Sequence, residues 1–445
     1  MEATLIRRGR SVAVIFSIAL LSFPVALHAQ ESKPAEAEAI PDPLTLQQAI
    51  ALSEKSNPDI EIASGQLQQR QADLDRTRSE NGFKLNIYGT AQSVDPVVGG
   101  DGTVDDSLAT VILSKSLYDF GKSASRVASV RASLEGEWAR FFDTRQKKRL
   151  EIMALFYDVL LADMRYRVDD ETMARIYVQY DRIRQRHGLG QVSDVVLMEW
   201  ESKYRQALSE RVRSQSLRRA TRARLAIAMN RPDQLADNLT PPILDSLDEK
   251  IPDYDVVLKK ILESNPQVRA AEQQVHAAEK RLLAARATHR PELSAELEAS
   301  TFERRLGLRN DSRAGLVLKW PLYQGGLRNA EIEKAEGELR IEQARKLKTE
   351  NAVRQQTLDV LQSIEHLQYR LKETATLVNY RDLKLDESRA LYEMEVQTTL
   401  GDAMIGVTDA QWQAAKVKYG LALEWARFKA LSGELAEKTP EEKFR

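Results

Sequence analysis

The side chains that most often bind metals or transfer protons are few and scattered in this chain. Beyond the N-terminal segment the histidines have no partner His one helical turn away and no carboxylate cluster, at His187, His276, His289 and His366. There is no cysteine, which excludes disulfides and thiolate metal sites. No phosphate-binding loop, nucleophile elbow or catalytic dyad occurs. The sequence therefore predicts a protein that is not an enzyme and that binds no metal and no cofactor.

Two charged segments indicate surfaces rather than chemical sites. A basic run contains Arg211, Arg218, Arg219, Arg222 and Arg224. Because Glu199, Glu201 and Glu210 lie just upstream, we interpret this run as a solvated or subunit-contact face. A net charge of −1 over 445 residues predicts no nucleic-acid partner. The acidic, Gly-rich segment 95–106 lacks the ligand spacing of a calcium loop and is interpreted as an exposed hairpin loop.

The first element of the chain is an export signal. Three arginines, Arg7, Arg8 and Arg10, precede an uncharged apolar stretch over 11–27, and small residues follow it. This order predicts a secretory signal peptide over 1–29 and an N-terminal linker over 30–43. A single membrane anchor is the alternative, but no basic stop-transfer cluster follows the apolar run. With 29% charged residues, the chain is not a polytopic helical membrane protein.

The remainder of the chain repeats one architecture twice. Ser56-Asn57-Pro58 recurs as Ser264-Asn265-Pro266, and the segment 117–121 (LYDFG) recurs as 322–326 (LYQGG). Proline fits the first turn of a helix and pushes the residue before it out of helical geometry, so each Asn-Pro predicts a helix start. The predicted divisions are a first structural repeat over 44–230, a connector over 231–252, a second structural repeat over 253–433 and a C-terminal tail over 434–445.

Each repeat contains a predicted β-hairpin, at about 83–117 and about 292–322. In the first, Leu85 and Ile87 alternate with Lys84 and Asn86, which predicts a strand with one apolar and one polar face. The last strand is placed over 314–322. Strands of about ten residues have the length that crosses an outer membrane at a tilt.

Each hairpin leads into a very long predicted helix, over 122–187 and 327–394. About 65 residues without proline form a rod of roughly 100 Å. A heptad track runs through the second rod at Ile364, Leu371, Val378, Leu385 and Tyr392, with equivalents from Val159 to His187 in the first. Such a track predicts left-handed coiled-coil packing. The return helices, over 194–229 and 400–431, are half as long, so we expect the helix before each hairpin to stack end to end with the return helix.

Four amphipathic strands cannot close a barrel by themselves. An open sheet edge in lipid leaves backbone groups unpaired, at a cost of several kcal/mol each. The strands must therefore be pooled among protomers, giving eight strands from two subunits or twelve from three. Charged residues on the polar face, such as Lys84 and Glu296, favour the larger and wetter barrel.

The duplicated order of Asn-Pro helix start, hairpin, Leu-Tyr junction and long helical hairpin resembles the TolC family of outer-membrane efflux channels. The resemblance covers nearly all of the chain after the signal. It implies a mostly α fold with a small β part, in which duplicated long helical hairpins and four transmembrane strands per protomer form a trimeric twelve-stranded barrel and a twelve-helix tunnel. It also implies residence in the outer membrane with a large periplasmic portion. The implied partners are two further copies of the chain, outer-membrane lipid, a periplasmic adaptor (membrane fusion protein) and an inner-membrane pump of RND or ABC type.

The resemblance also assigns candidate site residues. The strand-to-helix junctions are Gly121, Pro321, Gly325 and Gly326; the first junction departs from the family pattern at Ser116 and Phe120. Candidates for an acidic pore aperture are Asp402, Asp194 and Asp409, although an acid such as Asp402 also suits a helix N-terminus. The predicted adaptor-docking tips are Gly188, Leu189, Gly190 and Gln191 in one repeat and Glu395, Val396 and Gln397 in the other.

Three functions remain open on the sequence. Small-molecule efflux through a passive exit channel is favoured. The outer-membrane channel of a type I protein secretion system uses the same architecture and is the alternative. A structural periplasmic coiled coil is a remote alternative, which the alternating strands disfavour. Trp320, at the end of a predicted strand, is expected to anchor at a membrane interface.

Overall fold

The computed structural model describes residues 40–95, 102–234, 236–244, 247–302, 311–394 and 400–435. The predicted signal peptide over 1–29 and the tail after residue 435 lie outside the described residues. All of the described residues belong to the second of two compact units, Ile40–Arg445.

The two repeats have the same order of elements. The first contains α1 (Leu46–Ser56), α2 (Pro58–Ser79), β1 (Lys84–Thr90), β2 (Ser93–Val94), β3 (Val104–Asp105), β4 (Leu108–Tyr118), α3 (Lys122–Gly188) and α4 (Asp194–Ala228). The second contains α5 (Tyr254–Ser264), α6 (Pro266–Ala287), β5 (Glu292–Phe302), β6 (Ser312–Lys319), α7 (Leu327–Glu393) and α8 (Leu400–Leu431). The predicted fold class, mostly helical with a small sheet, is confirmed.

The long rods form as predicted, and one strand is shorter than predicted. Helices α3 and α7 each have 67 residues, about 100 Å at 1.5 Å per residue. Strand β6 ends at Lys319, whereas the expected strand extended to Leu322. The physical reason is Pro321, which has no N–H to donate to a strand ladder. The short pair β2 and β3 was not anticipated from the sequence.

The four main strands form one antiparallel sheet in the order β1-β4-β5-β6. The two hairpins join through β4 and β5, where Val111 lies opposite Ala299. On its other side Val111 lies opposite Ile87 of β1. The outer edges of the sheet, on β1 and β6, have no strand partner among the described residues.

The apolar face of the sheet is exposed on all four strands, and on the inner strands β4 and β5 it is more exposed than the polar face. The side chains of Ile87 and Leu316 are 73% and 68% exposed, and Leu297 on the inner strand β5 is also exposed. On the opposite face Thr110 is buried and its Oγ1 lies 3.1 Å from Oγ of Ser300. A sheet in water buries its apolar face, so this arrangement is inside-out for a water-soluble protein.

The hydrophobic core lies in the middle of the rods. Ile152, Phe156 and Val159 of α3 pack with Leu225 and Met229 near the end of α4. A smaller cluster in the other repeat joins α7 and α8 and contains Val360, Ile364, Leu421 and Trp425. The predicted heptad track is confirmed at Val159 and Ile364, both fully buried, whereas its last member, Tyr392, is exposed.

An aromatic pair joins the two repeats at this level. Tyr157 of α3 stacks on Tyr419 of α8 with ring centroids 4.9 Å apart and nearly parallel planes. Burial raises the pKa of Tyr157 to about 12, so this phenol is neutral at any physiological pH. The contact places α3 beside α8, so the four helices of the two hairpins lie in the order α4, α3, α8, α7.

One buried asparagine joins the helices end to end in each repeat. Oδ1 of Asn57 accepts from the backbone N–H of Asp59, capping α2, while its Nδ2 donates to the carbonyl of Ala228 at 3.2 Å, near the end of α4. Asn265 repeats this arrangement: its Oδ1 caps α6 and its Nδ2 donates to the carbonyl of Leu431 at 3.0 Å. The expected end-to-end stacking is confirmed, and the asparagine of each Asn-Pro pair makes it.

Each return helix, α4 or α8, ends in a turn, and a carbonyl near that end accepts the hydrogen bond from the asparagine. We call this contact the helix joint. Asn230 and Gly433 have positive φ values of 56° and 74° at equivalent places after α4 and α8. The N–H of Arg231 bonds to the carbonyl of Ala226 at 2.8 Å, which is the long bond of a Schellman motif. A Cβ on Gly433 would meet the carbonyl oxygen of Ser264 at 3.3 Å, so the tight turn requires glycine there.

A carboxylate on α1 binds two arginines of the first rod, α3. Oε2 of Glu54 lies 3.0 Å from Nη2 of Arg145, and Oε1 lies 2.5 Å from Nε of Arg149. Burial raises the pKa of Glu54, and the hydrogen bonds and charges of Arg149 and Arg145 outweigh that effect, so the pKa lies below its ordinary value.

We expect Glu54→Gln to destabilise the protein at pH 7. We expect the difference in stability between variant and wild type to become smaller as the pH falls. A carboxyl whose pKa is lowered by folding adds stability above its unfolded pKa, and this stability is lost as the pH falls through the folded pKa. The measurement is thermal unfolding of wild type and variant between pH 7 and pH 3. A difference in midpoint that stayed constant over that range would contradict the assignment.

Candidate functional site

The strand-to-helix junctions use residues with left-handed backbone conformations. Phe120 and Gly121 have φ values of 54° and 85°, and Gly325 and Gly326 have 58° and 87°. In the first repeat Asp119 stabilises the turn, because its carboxylate accepts from the N–H of Gly121 at 3.2 Å. Phe120 therefore adopts the conformation that glycine adopts at the second junction, although this region is costly for a residue with a Cβ.

The second junction also contains the predicted proline. Pro321 lies two residues after the last residue of β6, and Trp320 between them is exposed. Gly326 is the N-cap residue of α7, as Gly121 is of α3. All four junction residues therefore lie where a strand of the sheet turns into a rod.

The tip of the first helical hairpin is a tight turn with apolar side chains on its surface. Gly190 has a φ of 71°, and its N–H bonds to the carbonyl of His187 at 2.8 Å. The side chains of Leu189 and Val195 are 73% and 76% exposed. Gly188 ends α3 and Gln191 lies in the turn. The predicted second tip, at Glu395, Val396 and Gln397, lies outside the described residues.

The three candidate aperture acids lie in two places. Asp194 is the first residue of α4, and its Oδ1 lies 2.6 Å from Nε2 of His187 at the tip turn. Asp402 and Asp409 lie on α8, where it packs beside α3. The structure thus brings two of the three acids onto one helix pair and leaves the third at the tip.

Basic residues of the other repeat bind the acids of α8. Asp402 forms an ion pair with Arg175 of α3. Asp409 lies 3.6 Å from Nη1 of Arg165, which also pairs with Asp169 on its own helix at 2.8 Å. Sequence reasoning missed Arg165 and Arg175 because they lie in the first repeat and become neighbours of α8 only in the folded chain.

The basic run on α4 faces its own rod. Nε of Arg211 lies 2.5 Å from Oδ1 of Asp170. Arg218 and Arg222 both bind Asp163, at 2.8 and 2.6 Å. The interpretation of these three residues as a solvated or subunit-contact face is wrong, because they form intramolecular ion pairs with acidic residues of α3.

No metal centre or membrane-spanning helix is found in the described parts of the chain. No three His, Asp or Glu side chains there converge on a point that could hold a metal ion. No described helix is long and apolar enough to cross a membrane.

Comparison with protein families gives a match within the second repeat. Residues 257–434 match the family model described as outer membrane efflux protein. This match spans α6 to α8 with the intervening hairpin and most of α5. No curated protein sequence matches the chain significantly.

Solved structures share the fold of nearly the whole chain. The Campylobacter jejuni CmeC outer membrane channel superposes with a TM-score of 0.74 at 12% identity, covering 89% of this chain and 87% of its own. The outer membrane protein VceC from Vibrio cholerae gives a TM-score of 0.71 at 16% identity, covering 88% and 97%. The open state of the Neisseria gonorrhoeae MtrE outer membrane channel gives 0.68 at 18% identity, covering 88% and 89%. At these identities the likeness concerns the fold.

Proposed function

We propose that the protein is the outer-membrane exit channel of a tripartite efflux system, a function that the match of residues 257–434 to the outer membrane efflux protein model supports. It conducts small molecules passively and catalyses no covalent step. The single observation that carries the proposal is the inside-out sheet, whose leucine and isoleucine side chains are exposed while the polar face is half-buried on the inner strands β4 and β5. Lipid is the environment in which such a surface is stable.

The edges of the sheet support a homotrimer. Within the described residues, strands β1 and β6 present unpaired backbone groups at opposite edges of the same sheet. Antiparallel pairing of β6 with β1 of the next copy continues the sheet, since the strands alternate in direction. Three copies of the four strands give a twelve-stranded barrel with no open edge, which lipid requires. Its polar face, with Glu298 and Arg313 paired at 2.7 Å, then faces a water-filled lumen.

The same assembly assigns the two ends of the protein. The barrel lies in the outer membrane, and the rods cross the periplasm as a twelve-helix tunnel. The tips, including Leu189 and Val195, then point away from the membrane. These exposed apolar side chains are the surface that we propose for docking a periplasmic adaptor (membrane fusion protein), which in turn joins an inner-membrane pump.

Fractionation and mass measurement test this function. We expect the protein with its own signal to sediment with the outer membrane and to be extracted by detergent as a particle of three chains. A structural periplasmic coiled coil would be released with the periplasmic contents, and that result would overturn the proposal. Deleting the gene should raise sensitivity to toxic small molecules, whereas loss of a secreted protein alone would favour the type I secretion alternative.

We propose that Asp402 and Asp409 face the tunnel near its periplasmic end and set its charge selectivity, with Asp194 further out at the tip. We expect Asp402→Asn to lower the ratio of cation to anion permeability, because Arg175 then loses its acidic partner and adds positive charge to the wall. Arg175→Gln should shift the ratio in the opposite direction.

Reversal potentials in a salt gradient across a lipid bilayer measure this ratio. Asp248→Asn, in the exposed connector, is the matched control and should leave it unchanged. Unaltered selectivity in both Asp402→Asn and Arg175→Gln would remove Asp402 from the aperture and leave it as an acid at the helix N-terminus.

A further inference from the structure

A polar cavity of about 300 Å³ lies where the sheet meets the helices of the first repeat. The polar face of β1, β4 and β5 forms its floor. The last turn of α2 and the first turns of α3 form its walls, and hydroxyl groups such as those of Ser114 and Ser294 lie between the charged side chains. Neither the junction residues nor the aperture acids account for this cavity.

Half of the charged side chains around the cavity already have partners that hold its walls in place. Nζ of Lys115 donates to the carbonyl of Asn81 at 2.7 Å. Asp119 accepts from the backbone N–H of Ser123 at 2.8 Å. Nζ of Lys122 lies 3.8 Å from Oε2 of Glu292, which joins α3 to β5. These contacts connect the helices to the sheet, so the cavity has a fixed shape.

The other charged side chains have no such partner. Within the described residues, no ion pair or side-chain hydrogen bond holds Lys84, Arg126, Glu80 or Glu296, although all four line the cavity. Two of them are cations and two are anions. They are therefore charges that water or a solute must satisfy.

The strand register sets the separation of the central pair. Lys84 lies opposite Ser114, and Ser114 lies opposite Glu296, so the three residues form one row on the polar face. Neighbouring strands are about 4.8 Å apart, which places the backbones of Lys84 and Glu296 about 10 Å from each other. A positive and a negative group thus face the same space from opposite sides of a serine.

We propose that this cavity binds a small zwitterionic solute. The anionic group of the solute binds Lys84 and Arg126. The cationic group of the solute binds Glu296, and Glu80 lies at the rim of the cavity. An anion without a positive group would meet Glu296, and a cation without a negative group would meet Lys84, so each is disfavoured by like-charge repulsion. The inference does not depend on conduction, because binding can be measured on protein in detergent whether or not it forms a channel.

The test compares three probes of nearly the same length on the purified full chain. By ligand-observed NMR or calorimetry we expect 6-aminohexanoate to bind roughly tenfold more tightly than hexanoate or hexylammonium, the factor that one additional charge-assisted hydrogen bond supplies. Equal binding of all three probes, or binding of none, would overturn the proposal.

Single-charge variants make the test specific to this cavity. We expect Glu296→Gln to weaken 6-aminohexanoate and to strengthen hexanoate, and Lys84→Gln to weaken 6-aminohexanoate and to strengthen hexylammonium. Glu298→Gln is the matched control, since it lies on the same face of β5 two residues further on and is outside the cavity lining. An equal loss in Glu298→Gln, or no exchange of preference in the two cavity variants, would contradict the site.

Discussion

Replacing Ile87 by arginine is expected to remove most of the protein from the outer membrane. Ile87 is on the exposed apolar face of β1, and arginine on the lipid face of a barrel costs about 2–4 kcal/mol near the bilayer midplane. A trimer carries the substitution three times, so the penalty is repeated around one barrel. The measurement is the fraction of protein that sediments with the outer membrane and resists extraction by salt or alkali.

The neighbouring residue provides the control. Asn86 lies on the same strand and on the opposite, polar face. Asn86→Arg adds the same side chain to a water-filled lumen and should leave the membrane fraction close to that of wild type. Equal loss in both variants would mean that the two faces of β1 do not differ in their surroundings, and equal retention in both would mean that the apolar face does not contact lipid. Either result would contradict the proposed orientation of the sheet.

The second large effect is expected at the helix joints. Asn265→Ala removes the cap of α6, which is worth about 1 kcal/mol, and leaves the half-buried carbonyl of Leu431 without its donor at a cost of about 1–3 kcal/mol. We therefore expect a loss of about 2–4 kcal/mol from the free energy of unfolding. Asn57→Ala should behave in the same way in the first repeat.

Two further variants separate the joint from an ordinary cap. Asn265→Asp keeps the oxygen that caps α6 and loses the donor to α8, so it should remain clearly destabilised although the cap is intact. Asn351→Ala, on an exposed face of α7, should change the unfolding midpoint little. If Asn265→Asp were as stable as wild type in denaturant unfolding, Asn265 would act only as the cap of α6. Its hydrogen bond to the carbonyl of Leu431 would then contribute nothing to the free energy of unfolding.

Local patterns in the sequence predicted the elements that depend on local physics. Alternation at Leu85 and Ile87 predicted the two faces of the sheet, and the absence of proline after Gly121 predicted a rod of the observed length. The lengths of the short helices predicted that they stack end to end. The strand and the rod depend on interactions within a few residues along the chain. The stacking followed from the lengths of the elements alone, because the hydrogen bond that makes it joins Asn57 to the distant Ala228.

Features that depend on distant residues were not predictable in this way. Nothing near Asp402 indicates that Arg175, in the other repeat, binds it. A second buried track in α7 includes Thr374 and Ser388. Their side chains are small and polar, so the sequence pattern did not indicate that they are buried. The partners of the α4 arginines, Asp163 and Asp170, lie on a different helix and were likewise missed.

Electrical recording from purified protein in a planar lipid bilayer tests whether this protein is an exit channel. Trimers extracted from the outer membrane are expected to insert as discrete, long-lived steps of equal conductance, and Asn86→Arg should retain those steps while changing their ion selectivity. Correctly folded trimers that bind the bilayer and never produce a conductance step, in either orientation and at any voltage applied, would contradict the account of this protein as an exit channel.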